Sequence, residues 1–248
     1  RLQLIFALAR APHVPTLIPA GRLLRPVIQD LEALVKRNEG VRLILAHAGI
    51  ADMAGLAGRL GGIPGVYFDT SVWSALDLLD LFRQVPPEQV VYASDYPYGR
   101  QPNSLLASAR AARVAGFDDR QLRDMLGETA LRIASGSDEP VLTAPKGKLA
   151  LSQPLTFARI HQYISMSVPM LWMRQRDGIG ALGLAVNAAR ERDGHEEASE
   201  RIEELLATAD QLWREGAEIE ARDERMAAMR TAIQLVNLAD LIAVTTSA

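Results

Sequence analysis

The sequence predicts an α/β domain built on a parallel sheet, followed by an all-α extension. Three observations carry this reading. Residues 1–136 alternate short apolar runs with stretches of helical period. Residues 137–153 collect Gly, Ser, Pro and Lys without any period. From Leu155 onward, apolar residues recur only at helical spacing. Short apolar runs suit parallel strands covered on both faces, and repeated strand–helix units imply a parallel layout.

The strand candidates are residues 14–18, 41–46, 66–68 and 90–93. Between them, residues 26–37 place Val27, Leu31, Leu34 and Val35 on one helical face, and residues 51–60 and 75–82 give two shorter helices. Asn103 or Ser104 is placed to cap a helix ending at Ala115. Asp118 is placed to cap the next, with Gln121 three residues on as its capping-box partner. About four strand–helix units result. The chain opens on Arg1 and runs straight into Leu2-Gln3-Leu4-Ile5-Phe6, which reads as the inside of a helix and predicts further sequence upstream.

The spacing therefore divides the chain into an α/β domain over 1–136, a linker over 137–153 and a helical extension over 154–248. In the extension, Ile202, Leu205, Leu206, Ala209 and Leu212 form one apolar stripe, and Met226, Met229, Ile233 and Val236 form another. Gly194 and Gly216 fall where helices would stop. Trp172 and the methionines near it are expected in the core. A packed bundle, or a contact between copies, is the expected role of this region.

Composition narrows the function. Hydrophobic residues make up 48% of the 248, enough for a sizeable core, and the net charge is -3. Without a basic excess, nucleic acid is excluded as an expected partner. There is no cysteine, so disulfides, thiolate metal sites and cysteine nucleophiles are excluded, and a reducing cytoplasm is the expected location. No apolar run approaches the ~18 residues of a membrane span, and no signal peptide is visible. The expected partner is a small-molecule substrate, with a homo-oligomer as a further possibility.

Two strand ends carry residues suited to chemistry. Leu43-Ile44-Leu45-Ala46-His47-Ala48-Gly49 delivers an imidazole at the tip of a buried strand, where parallel α/β folds place their active groups. A structural histidine bonded to a nearby carbonyl is the alternative. Val90-Val91-Tyr92-Ala93-Ser94-Asp95-Tyr96-Pro97 ends in a carboxylate, which needs a cation or several donors if buried. The alternative is an Asp capping its own loop. Asp69 is either a neighbour of the site or a loop cap. Tyr96 and Arg100 are candidates for a pocket mouth that contacts substrate. His13, His161 and His195 are read as structural.

Together, Ala46-His47-Ala48-Gly49, Val66-Tyr67-Phe68-Asp69-Thr70-Ser71, Ala93-Ser94-Asp95-Tyr96-Pro97-Tyr98-Gly99 and the closing Gly127-Glu128-Thr129-Ala130-Leu131-Arg132-Ile133 resemble the amidohydrolase-related family. The resemblance covers roughly residues 1–135. It implies the last four units of a TIM-type (β/α) barrel. It further implies a metal-dependent hydrolase or decarboxylase of small molecules, acting on a C–N or C–O bond. In that reading Asp95 binds a divalent metal, typically zinc, and takes a proton from its bound water, while His47 assists at the metal or polarises the substrate. The sequence departs from the family in two places. The His-x-His pair of the first strand occurs nowhere in the chain, and Pro19 stands where a strand-five histidine is usual. Two ligand-type positions remain where catalytic zinc takes three, so this chain alone is expected to hold zinc weakly. The alternative is a degenerate, non-catalytic barrel that binds a ligand or mediates oligomerisation.

Overall fold

The computed structural model describes residues 2–10, 14–19, 28–71, 74–96, 103–137, 139–147, 153–173, 177–192 and 194–246. It divides into two compact units. One comprises residues 1–94 with 108–149, the other residues 95–107 with 150–248.

The first unit holds β1 (Thr16–Ile18), β2 (Leu43–Leu45), β3 (Val66–Asp69) and β4 (Val90–Val91) in one parallel sheet of order β1-β2-β3-β4. Ile18 pairs with Leu45, Leu45 with Phe68, and Phe68 with Val90. The strand ends are therefore level, and the residues beyond them leave the sheet on one side. Helices α1 (Leu2–Arg10), α2 (Ile28–Arg37), α3 (Met53–Leu60) and α4 (Ala75–Gln84) alternate with the strands. Leu43, Leu45, Phe68, Leu56, Leu60, Leu81 and Phe82 are all fully buried. The opposite parity of strand residues, Tyr67 and Val91 with Ile44 beside them, packs on Ile133.

Both faces of β1 were expected to be covered, and they are not: Leu17 is 62% exposed. Among the described residues β1 is an edge strand, so nothing packs beyond it. The four strands are also no longer, or shorter by up to three residues, than their apolar runs, except that β3 extends to Asp69.

Beyond β4 come α5 (Asn103–Ala115), α6 (Asp119–Arg123), a π-helical turn (Asp124–Glu128) and α7 (Thr129–Ser135). The capping box is formed as the spacing predicts. Asp118 accepts from Gln121 N at 2.8 Å, and the Gln121 side chain accepts from Asp118 N. The π turn also serves the sheet, since Met125 O accepts the Tyr92 N–H at 2.9 Å. The helical run stops at Gly136, whose φ of 71° suits a residue without Cβ.

Residues 139–147 have neither helix nor strand, yet they are held to this unit. Arg42 donates to the carbonyls of Arg132 and Ile133 at 3.1 and 3.2 Å and also to that of Ser137. The Tyr67 hydroxyl donates to Glu139, and burial, with this carboxylate beside it, drives the phenol far above its ordinary pKa. Buried Glu88 accepts from Thr143 N and Oγ1, both at 3.0 Å. Burial pushes the Glu88 carboxyl up, but the Thr143 bonds and Arg120 outweigh it and leave it lowered. Arg42 precedes β2 and Glu88 precedes β4, so these anchors lie at the N-terminal end of the strands, away from His47.

The second unit contains α8 (Leu155–Trp172), α9 (Asp177–Ala189), α10 (Glu196–Ala217) and α11 (Arg222–Thr245). Helix α8 starts at Leu155, where helical spacing takes over in the sequence. Each helix packs on the next and α11 packs on α8, closing a four-helix bundle. Three pairs set the directions. Arg159 meets Glu191 at 2.8 Å, Phe157 meets His195 edge-on, and His161 meets Asp240 at 2.7 Å. The start of α8 thus lies at the end of α9, the start of α10 and the end of α11, so neighbouring helices are antiparallel.

The core includes Ile164, Leu182, Leu206, Ile233 and Val236, so the apolar stripes face inward as their spacing predicts. Trp172, Met166 and Met173 do not. They are 48%, 48% and 62% exposed, because Trp172 and Met166 lie off the buried stripe of Ile160, Ile164 and Leu171, and Met173 follows the end of the helix. Gly216 is the last residue but one of α10, so the helix stops there as its position predicts, and a Cβ on it would come 3.1 Å from that of Ala228. Helix α11 is long and apolar enough to cross a membrane, although the sequence reading found no such run. Half of its apolar stretch is buried in the bundle, which accounts for that composition.

Candidate functional site

His47 stands two residues past β2, at the C-terminal edge of the sheet. It takes φ of 55°, followed by Ala48 at 50° and Gly49 at 81°. Three successive left-handed residues are costly: each non-glycine one costs about 1–3 kcal/mol. Gly49 is required twice over, since a Cβ there would also lie 2.3 Å from Leu56 Cδ1. The turn swings the imidazole off the strand direction and leaves it buried, with 5% exposure.

Asp69, at the end of β3, holds this turn. Its Oδ1 accepts from His47 N at 2.9 Å, Ser71 N at 2.9 Å and Ser71 Oγ at 2.6 Å. Burial pushes the Asp69 carboxyl above its ordinary pKa, against the pull of the Ser71 and His47 donors. His47 Nδ1 lies 2.9 Å from Ser71 O and 2.8 Å from Ser71 Oγ. A carbonyl only accepts, so Nδ1 carries the proton, and in the neutral ring the lone pair is on Nε2. The carbonyl bond of the structural alternative is therefore present, and together with Ser71 Oγ it favours the Nδ1-protonated form of the ring.

Of the two sequence alternatives for Asp69, the loop cap is present, since it accepts from Ser71 N, and it also holds the backbone of His47. Ser71 escaped attention. Its signal was the Asp-x-Ser spacing directly after an apolar strand, which favours a side-chain-to-backbone turn.

Thr70 extends the pairing of β3 with β4 past the strand ends. Thr70 N donates to Val91 O at 3.0 Å, and Ala93 N donates to Thr70 Oγ1 at 3.1 Å. Asp95 follows two residues later, belongs to the second unit, and is itself left-handed with φ of 54°. Only four non-glycine residues among those described have positive φ, and they include both His47 and Asp95. Tyr96 is 78% exposed. Arg100 and His13 lie outside the described residues.

His47 has the arrangement of a metal-binding histidine, with its other ring N–H donated to a carbonyl. A catalytic zinc needs three protein ligands. Among the described residues, no group of three His, Asp or Glu side chains is placed to hold one, and Pro19, just past β1, offers no donor atom. The described residues do not by themselves form a metal centre.

No curated protein and no solved structure matches the chain. The amidohydrolase family model matches residues 12–133. That segment spans all four strands, the His47 turn, the Asp69–Ser71 loop and Asp95, and it ends at Ile133 on the sheet. Over this α/β segment, the chain is similar to the amidohydrolase family.

Proposed function

We propose that the α/β segment is part of a TIM-type barrel of a hydrolase acting on a small molecule, at a C–N or C–O bond or in decarboxylation, with His47 and Asp95 as its working groups. The consecutive order of the four parallel strands supports the barrel reading, since a barrel adds its strands in sequence order. The observation that carries the functional reading is the pair of Ser71 oxygens held against His47 Nδ1, with the ring delivered by a strained turn at a strand's C-terminal end.

In hydrolysis, a base takes a proton from water as the water oxygen bonds to the carbonyl carbon. The proton then passes to the departing nitrogen or oxygen as its bond to that carbon breaks. His47 Nε2 is suited to accept a proton or to hold the substrate oxygen once protonated. Asp95 is the carboxylate partner, and Tyr96 and Arg100 are proposed to contact substrate at the mouth. Zinc is the proposed cofactor; when bound it would supply Lewis-acid polarisation. His47 and Asp95 would be two of its ligands. The steps above use only the two side chains.

The test is hydrolysis or decarboxylation of a panel of small amides, lactones and carboxylic acids by the purified chain in excess zinc. Because only two ligand-type positions are present where catalytic zinc takes three, we expect at most slow turnover by this chain, falling by up to about 10²–10⁴ in His47→Gln and in Asp95→Asn. No turnover in the wild-type chain would favour a non-catalytic binding module instead, whereas turnover unchanged in both variants would place the chemistry on other residues.

A further inference from the structure

We infer that Asp69 and Ser71 are positioning residues that set the tautomer and orientation of His47; the functional value of this rests on His47 being a working group, as proposed above. The argument starts from the Ser71 hydroxyl, which has one proton. Asp69 Oδ1, 2.6 Å away, is a buried carboxylate oxygen and the stronger acceptor, so the hydroxyl proton points to it. The Ser71 lone pairs are thereby turned toward His47 Nδ1 at 2.8 Å, and the Ser71 carbonyl faces the same nitrogen at 2.9 Å. Two acceptors on one nitrogen leave no room for an unprotonated Nδ1.

The same Asp69 oxygen accepts the His47 backbone N–H at 2.9 Å. One carboxylate thus anchors the left-handed backbone of His47 and, through Ser71, polarises its ring. The loop after β3 determines which nitrogen the residue after β2 presents. Donation of the remote ring N–H toward an anion also makes the other nitrogen a better ligand and base. Asp69 and Ser71 need not touch substrate to do this.

The experiment is long-range ¹H–¹⁵N NMR of the histidine rings in the full chain at one pH where the rings are neutral. The sequence has four histidines, and His47→Gln assigns the His47 signals by loss. The expected wild-type spectrum shows His47 with Nδ1 protonated and Nε2 unprotonated. Ser71→Ala keeps the carbonyl but removes the hydroxyl acceptor, and should admit a detectable share of the other tautomer. Asp69→Asn should do the same, and Ser71→Thr should restore the wild-type pattern.

The inference is overturned if wild-type His47 carries its proton on Nε2. It is also overturned if Ser71→Ala leaves the tautomer unchanged in a folded chain. Should Asp69→Asn fail to fold, Ser71→Ala still decides the matter. Because the readout is spectral, it stands apart from turnover: an inactive chain with the expected tautomer refutes the proposed function and keeps this inference. Activity that depends on His47 without the tautomer does the reverse.

Discussion

Asp69 Oδ1 lies 2.9 Å from the backbone nitrogen of His47, so a carboxylate at the end of β3 closes a left-handed turn that follows β2. The bond fastens two neighbouring strands at the edge where the candidate chemistry sits. It also occupies an N–H that the turn would otherwise bury without a partner.

Removing that acceptor should be costly. Asp69→Ala leaves the His47 N–H, the Ser71 N–H and the Ser71 hydroxyl without their shared oxygen, and we expect a loss of about 3 kcal/mol. Asp69→Asn retains an acceptor oxygen at the same place and should cost less than half as much. Urea unfolding of the two variants against wild type gives the comparison. Equal losses would mean that charge, rather than the acceptor, holds the turn.

Gly49→Ala should destabilise by about 2 kcal/mol or more. The new methyl meets Leu56 Cδ1, and φ of 81° is unfavourable for any residue with a Cβ. Adding Leu56→Ala should remove the clash but not the backbone cost. A double-mutant cycle read by thermal unfolding separates the two.

Glu88 fastens residues 139–147 to the N-terminal end of the sheet. Glu88→Ala should cost about 2 kcal/mol, because it deprives Thr143 of its acceptor. It should also expose the segment, so trypsin should cut after Lys146 faster than in wild type under native conditions. An unchanged cleavage rate would show that Arg42 and Tyr67 hold the segment by themselves.

The helical bundle should respond to pH through His161. Its bond to Asp240 raises the imidazole above its ordinary pKa despite partial burial. A raised pKa means the folded state holds the proton more tightly than the unfolded state. The contribution is therefore complete below about pH 6.5 and is lost as pH rises through the folded value. Denaturation midpoints measured from pH 5 to 9 should fall over that window, and Asp240→Asn should flatten the fall.

Much of the architecture was legible in the sequence, because it follows from near-neighbour spacing. The strand–helix alternation, the Asp118–Gln121 capping box, the start of α8 at Leu155 and the stripes around Leu206 and Ile233 depend on periods of two to four residues. The family resemblance was legible for a similar reason, since its motifs are short strings at strand ends. His47 and Asp95 stood out as polar residues ending apolar runs, and their left-handed backbones are a feature that such runs do not reveal.

Contacts between distant parts of the chain decided the rest. The ring of His47 takes its tautomer from Ser71, 24 residues on, and that pairing exists only because β2 and β3 are neighbours in register. Residues 139–147 read as a linker because they lack a period, yet side chains from three earlier elements hold them. Leu17 and Trp172 read as buried because they are apolar, yet both are largely exposed, one on an edge strand and one off the buried stripe of α8. Local spacing determined which elements form. Which side chains are covered, and which polar groups meet, was decided by the arrangement of those elements in space, because burial and hydrogen bonding depend on neighbours that the linear sequence does not place side by side.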